Sequence, residues 1–220
     1  MKLKHIAAAA ALVASGSAFA GVTGNVGVFS DYVFRGVTQT GGEPAVQGGI
    51  DYSHASGAYV GTWTSNVSGF AGGSTYETDF YGGFAGKAGN LGYDVGAVLY
   101  YYPEDKETIE YYGGLSFGAL SGKLYYSDDV ADTGDSNFYL TASYAFALSE
   151  TLSLTPQVGY TFGDASDAAG DEVVDFSLTL AKTLDGGLTF TLAVTGTDSD
   201  LAISKNDETV VVGLKKAFDL

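Results

Sequence analysis

The sequence predicts an all-β fold, a transmembrane antiparallel up-and-down β-barrel of about twelve strands. Three observations predict it. Apolar side chains recur at every second position along nearly the whole chain, the gaps between these segments are short and long in strict turn, and aromatic residues gather near both ends of the segments.

Composition frames the reading. The chain has 220 residues, 32 Gly, no Cys, 14% aromatics, and 10 Lys plus Arg against 26 Asp plus Glu. Without cysteine there is no disulfide framework, zinc finger or thiol nucleophile. A net charge of -16 argues against nucleic acid as a partner, because affinity for a polyanion comes from Lys and Arg neutralising phosphates. The aromatic content argues against disorder, which needs low hydrophobicity.

Residues 1–20 read as a cleaved secretory signal peptide. Lys2 and Lys4 precede an apolar, Ala-rich run over residues 6–13, and Ala18-Phe19-Ala20 places small residues at a cleavage point before Gly21. The apolar run is too short for a spanning helix, which needs about 20 residues. Cleavage removes two lysines and no acid, so the net charge of -16 becomes -18 over residues 21–220. No later stretch reaches helical spanning length, so the mature chain would cross a membrane with strands.

Each strand is justified by the alternation. In residues 91–102, Leu91, Tyr93, Val95, Ala97, Leu99 and Tyr101 form one phase, while Gly92, Asp94, Gly96, Val98, Tyr100 and Tyr102 form the other. One face is apolar and one is mixed, as a strand between lipid and a polar interior requires. The pattern recurs clearly in residues 109–117, 138–146, 152–162, 174–180, 188–194 and 210–214, and more weakly in 22–34, 44–54, 58–66, 76–86 and 123–128. The gaps at 55–57, 87–90, 119–122, 147–150 and 183–187 are tight and turn-like. Those at 36–43, 67–75, 103–107, 129–135, 163–171 and 197–207 are mostly longer and acidic. A soluble sandwich has no reason to put all its long connections at one end, whereas an outer-membrane barrel has short periplasmic turns and long external loops.

On the apolar phase, Tyr32, Phe34, Tyr101, Tyr111, Tyr126, Phe138 and Phe162 fall near the loop ends. Tyr52, Tyr59, Phe84, Tyr93, Phe117, Phe146 and Phe218 fall near the turn ends. They are expected to form two outward girdles at the water–lipid boundaries. The chain closes on Val210, Val212, Leu214, Lys216, Phe218 and Leu220 at alternate positions, close to the terminal pattern that barrel assembly machinery reads.

The opening block also carries a family resemblance. Ser30-Asp31-Tyr32-Val33-Phe34-Arg35-Gly36, then Pro44-Ala45-Val46-Gln47-Gly48-Gly49, then Gly57, Tyr59, Val60, Gly61 and Trp63 closely resemble the start of the TorF porin family, also known as the Gcw_chp family of unknown function. The block covers about 40 residues, and beyond it the likeness is one of size, glycine content and strand rhythm. The resemblance implies an outer-membrane barrel with a channel role. It implies no substrate and no catalytic residue.

An enzyme is not expected. The only histidine after the leader, His54, lies at a turn end on the periplasmic side with Ser53 and Ser56 beside it; a Ser–His pair there would need an orienting carboxylate and would face away from external substrates. Cofactors and metals are not expected either. The acidic stretches 163–172 and 128–135 lack the Asp-x-Asp-x-Asp-Gly spacing of a calcium loop and read as solvated, self-repelling segments.

The functional expectation is a narrow outer-membrane channel for passive diffusion of small solutes or ions. Twelve strands lie between the filled eight-stranded barrel and the open sixteen-stranded porin; the alternative is a closed barrel with a structural or adhesion role. The strand phases put Asp31, Asp51, Glu77, Asp79, Asp94, Glu110 and Asp175 inside with Arg35, Lys123 and Lys215, together with a file of Tyr81, Tyr100, Tyr102, Tyr112, Tyr125 and Tyr139. The loops add sixteen further acids against Lys106 and Lys205, so cation preference is expected. The implied partners are outer-membrane lipid and lipopolysaccharide, periplasmic chaperones and the barrel assembly machinery, and no nucleic acid.

Overall fold

The computed structural model describes residues 20–68, 73–104, 107–130, 133–169, 172–198 and 208–220. Residues 1–19 of the expected leader, and Asp105, Lys106, Asp132, Asp171, Asp200, Lys205 and Asp207 among the loop charges, lie outside the described residues.

Alternation becomes wall. The barrel strands are β1 (Gly21–Phe29), β2 (Ala45–Ser53), β3 (Ala58–Asn66), β4 (Tyr76–Ala88), β5 (Leu91–Tyr101), β6 (Thr108–Phe117), β7 (Leu120–Ser127), β8 (Asn137–Tyr144), β9 (Leu152–Phe162), β10 (Val173–Thr183), β11 (Leu188–Thr197) and β12 (Thr209–Asp219). Every strand pairs antiparallel with its sequence neighbours, and β1 pairs with β12 through Thr23↔Asp219 to Phe29↔Gly213, which closes the barrel. Closure leaves no sheet edge, the condition for strands to lie in lipid. β8 is interrupted at Ala145 and resumes over Phe146–Ala147. Its ladder with β9 lapses where Tyr144 and Ala145 face Pro156 and Thr155, as expected where proline has no N–H to donate.

Polarity is inverted relative to a soluble protein. Phe117 is 62% exposed and Val60 58%, whereas Glu77 is 1% and Asp175 3% exposed. The exposed aliphatic and aromatic side chains form the outer face, and Ser, Thr, Asp, Glu and Tyr fill the inside. On the loop side of the outer face Tyr126, Phe138, Phe162 and Tyr160 run as a continuous girdle, with ring centroids 4.9, 5.3 and 5.1 Å apart. On the turn side Phe84 stacks on Tyr93 at 6.4 Å and Tyr144 tilts against Phe146 at 4.6 Å.

Short turns and long connections alternate as expected. Two details were not expected. Residues Asp164–Ala169 form one helical segment, α1, within a long acidic connection. The connection after β1 is not an extension of the wall: Val33–Phe34 pairs with Val37–Thr38 as a small separate hairpin. Its two turn residues, Arg35 and Gly36, have φ of 49° and 80°, the left-handed pair that a two-residue hairpin turn requires. A side chain at Gly36 would also collide with the β11 backbone, since its Cβ would lie 2.7 Å from the Gly196 carbonyl oxygen.

Candidate functional site

The hairpin after β1 folds across the interior. Tyr32 packs edge-on against Trp63 of β3 at 5.3 Å, and its hydroxyl donates to Glu77 Oε1 of β4 at 3.3 Å. Phe34 meets Tyr100 of β5 edge-on at 5.8 Å. Arg35 donates two parallel hydrogen bonds to Glu110 of β6, at 2.8 and 2.7 Å. Its guanidinium carbon also lies 3.9 Å from the ring centre of Tyr139 on β8 and 5.3 Å from that of Tyr125 on β7. One short segment thus touches six successive strands of one wall, and its tip Gly36 abuts β11. Two corrections follow. Tyr32 and Phe34 point inward instead of joining the outer girdle, and Tyr59 is also interior, its place on the outer face being taken by Val60.

The hairpin is braced at its base. Thr38 and Thr40 both donate to Asp31 Oδ1 at 2.7 Å, and Thr40 Oγ1 accepts the Tyr32 N–H at 3.0 Å. Burial alone disfavours charge on Arg35, but the carboxylate of Glu110 outweighs it, so the guanidinium holds its proton more tightly than a free arginine. Burial, then the charges of Glu77 and Asp79, hold the Tyr32 phenol neutral well above its usual range, so it remains a donor.

The interior tyrosines are tied to carboxylates. Tyr100 donates to Glu110 Oε2 at 2.9 Å, Tyr139 to Asp175 at 3.2 Å, Tyr81 to Asp51 at 2.5 Å and Tyr59 to Asp94 at 2.6 Å. The Tyr59 and Tyr112 hydroxyls meet at 2.5 Å. Lys123 forms an ion pair with Asp94 at 2.7 Å and lies 4.3 Å from the Tyr112 ring centre. Tyr112, Tyr125 and Tyr139, on three adjacent strands, make a ladder with centroid spacings of 5.5 and 5.9 Å.

Small residues opposite the rings make this packing possible. A Cβ at Gly96 would lie 2.5 Å from the Tyr112 hydroxyl, and one at Gly159 would lie 2.2 Å from that of Tyr139. The glycines that looked like mere composition are the sockets for the tyrosines.

Among the residues expected inside, Asp51, Glu77, Asp79, Tyr81, Asp94, Tyr100, Glu110, Tyr112, Lys123, Tyr125, Tyr139, Asp175 and Lys215 occupy interior positions on strands. Lys215 stands apart on β12, in the field of Asp51. Tyr102 follows the last residue of β5. Asp31 and Arg35 are inside because of the hairpin and not the wall. Tyr59 and Trp63 are interior aromatics that the phase reading of β3 missed. The stretch 58–60 reads Ala-Tyr-Val, apolar in both phases, so periodicity alone had no preferred face there.

These features, a closed antiparallel wall with a polar interior, agree with the comparisons. The family model described as "Bacterial protein of unknown function (Gcw_chp)" matches residues 13–218. The chain belongs to the Gcw_chp family. No curated protein sequence matches it. Among solved structures, the KdgM porin in complex with disordered oligogalacturonate matches at a TM-score of 0.63 and 12% identity, over 89% of this chain and 99% of that one. The NanC porin matches at 0.57 and 10% identity, over 90% and 99%. An outer-membrane channel from Pseudomonas putida F1 matches at 0.51 and 11% identity, over 91% and 96%. At such identities the likeness establishes the fold alone, a closed antiparallel β-barrel like that of these porins. None of these comparisons carries the TorF designation.

Proposed function

We propose that this Gcw_chp barrel is an outer-membrane channel for passive diffusion of small solutes or ions, with a preference for cations, and that it performs no catalysis. One observation carries the selectivity. The interior holds seven carboxylates, of Asp31, Asp51, Glu77, Asp79, Asp94, Glu110 and Asp175, against Arg35, Lys123 and Lys215, and both Arg35 and Lys123 are committed to ion pairs. A pore whose acids outnumber its basic groups, two of them held in ion pairs, concentrates cations and repels anions. The acid-rich loop side adds to the same field. An oligogalacturonate, the ligand of the KdgM porin structure, is a chain of carboxylates and does not suit this interior; neutral and cationic solutes do.

In this reading the interior tyrosines narrow the passage by their packing, because the hydroxyls of Tyr59, Tyr81, Tyr100 and Tyr139 already serve carboxylates. Export through a leader cleaved after Ala20, delivery by periplasmic chaperones and insertion by the assembly machinery complete the proposal, with lipid and lipopolysaccharide against the outer face.

The inward hairpin supports a second reading, a closed barrel with a structural or adhesion role. Single-channel recording in a planar bilayer separates the two. Discrete conductance steps are expected; their absence from protein whose gel mobility shifts on heating, the mark of a folded barrel, favours the closed form.

A further inference from the structure

Glu77 and Asp79 alternate along β4 and therefore share its interior face. They are 1% and 7% exposed. Asp79 is in register with Trp63 on β3 and Tyr100 on β5, and Glu77 with Ser65 on β3. Tyr32 lies above them, its ring against Trp63 and its hydroxyl on Glu77 Oε1. The other oxygen of Glu77, Oε2, and the Oδ1 of Asp79 are buried with no hydrogen-bond partner among the described residues. Two residues apart on one face of β4, the two carboxyl groups are immediate neighbours.

This arrangement needs a positive charge. Two buried carboxylate oxygens on one face with no donor call for a positively charged partner, a bridging proton or a cation. The nearby protein cations are committed elsewhere: Arg35 spends both terminal guanidinium nitrogens on Glu110, and Lys123 pairs with Asp94.

We propose that Glu77 and Asp79 form a binding site for a hard divalent cation of the calcium type, reached from the loop side beneath Tyr32. The ligand atoms on hand are all oxygens, those of the two carboxylates and the Tyr32 phenol. That set suits calcium or magnesium and not zinc or copper, which favour imidazole and thiolate. Among the described residues no group of three or more His, Cys, Asp or Glu is placed to hold a metal. A site with only two carboxylates belongs at the weak end of the calcium range, with Kd on the order of 10⁻⁴–10⁻³ M. The site does not depend on conduction, so it stands or falls separately from the channel reading.

Trp63 makes the test specific, because it is the only tryptophan in the chain and it neighbours the pair. Terbium, a luminescent calcium substitute, is titrated into the full barrel in detergent and excited at the red edge of tryptophan absorption. Sensitised emission that calcium displaces is expected, and Glu77→Gln and Asp79→Asn should each weaken terbium binding by about tenfold or more. Trp63→Phe should abolish the emission while calorimetry still detects calcium binding. Heat-shifted gel mobility verifies that each variant is folded. An Asp128→Asn/Asp129→Asn variant, altered in an acidic loop, should retain the emission. No sensitised emission from folded wild-type barrel, or emission unchanged in Glu77→Gln and Asp79→Asn, would overturn the proposal and leave a shared proton as the bridge.

Discussion

The two halves of the barrel wall are built from different side chains. From β3 to β8 the interior face carries long and ionisable groups: Tyr59, Trp63, Glu77, Asp79, Tyr81, Asp94, Tyr100, Glu110, Tyr112, Lys123, Tyr125 and Tyr139. From β9 to β12 the same face carries mostly small ones, such as Ser153, Gly159, Ser177, Thr179, Ala181, Thr189, Thr191, Ala193, Thr195, Thr197 and Gly213. The difference shows how a twelve-stranded barrel can be narrowed from one side. The long side chains of one stretch clasp the hairpin, whose tip reaches the other stretch at Gly196. Tyr139 of β8, lying over Gly159 of the adjacent β9 and bonding Asp175 of β10, marks the seam between the two stretches, and the hairpin tip at Gly36 meets Gly196 of β11.

Removing the clasp should break this asymmetry most severely. Arg35→Ala leaves Glu110 buried without its partner, which costs about 3–5 kcal/mol where a buried ion pair loses one member. It should lower the temperature at which gel mobility shifts and, by freeing the hairpin, raise single-channel conductance. An Arg35→Met/Glu110→Met variant should recover much of the stability and keep the higher conductance. If Arg35→Ala leaves conductance unchanged, the hairpin does not narrow the pore.

Filling the sockets comes next. Gly96→Ala or Gly159→Ala forces Tyr112 or Tyr139 from its place and should cost about 1–3 kcal/mol, the usual penalty of overpacking. Gly113→Ala, with nothing within 4 Å of its Cβ, should be nearly silent in the same unfolding assay. Equal effects at all three positions would mean that the glycines serve strand geometry and not the rings.

Truncating the ladder tests its role more gently. Tyr112→Ala and Tyr139→Ala should each raise conductance, and Tyr139→Phe should change it little, because a ring narrows a passage by its bulk. If all three leave conductance unaltered, the ladder is not at the narrowest point.

On the small-residue wall the effects should be least. Thr195→Val removes a 3.0 Å hydrogen bond to the Phe176 carbonyl and keeps the shape, so a loss of about 1 kcal/mol or less and unchanged conductance are expected. A large change in conductance would place the passage against this wall.

The wall was legible in the sequence because a strand between lipid and a polar interior must alternate, and residues 91–102 do so without a break. The interior carboxylates followed from the same phase. The hairpin did not, because Ser30, Tyr32 and Phe34 continue the β1 alternation into a segment that has left the wall. Period two marks extended backbone and not where it goes. A signal was present in Val33-Phe34-Arg35-Gly36-Val37-Thr38, a glycine-containing two-residue turn between β-branched and aromatic residues. The partnering of Arg35 with Glu110, 75 residues apart, is a product of closure that no local pattern encodes.

The sign of the interior field can be read directly. Wild-type barrel in a planar bilayer, with a gradient of potassium chloride across it at low ionic strength, should give a reversal potential toward the potassium equilibrium value. Raising the salt should weaken the preference, since exposed loop charges are screened over about 10 Å at 0.1 M. A reversal potential on the chloride side at low ionic strength would contradict the account.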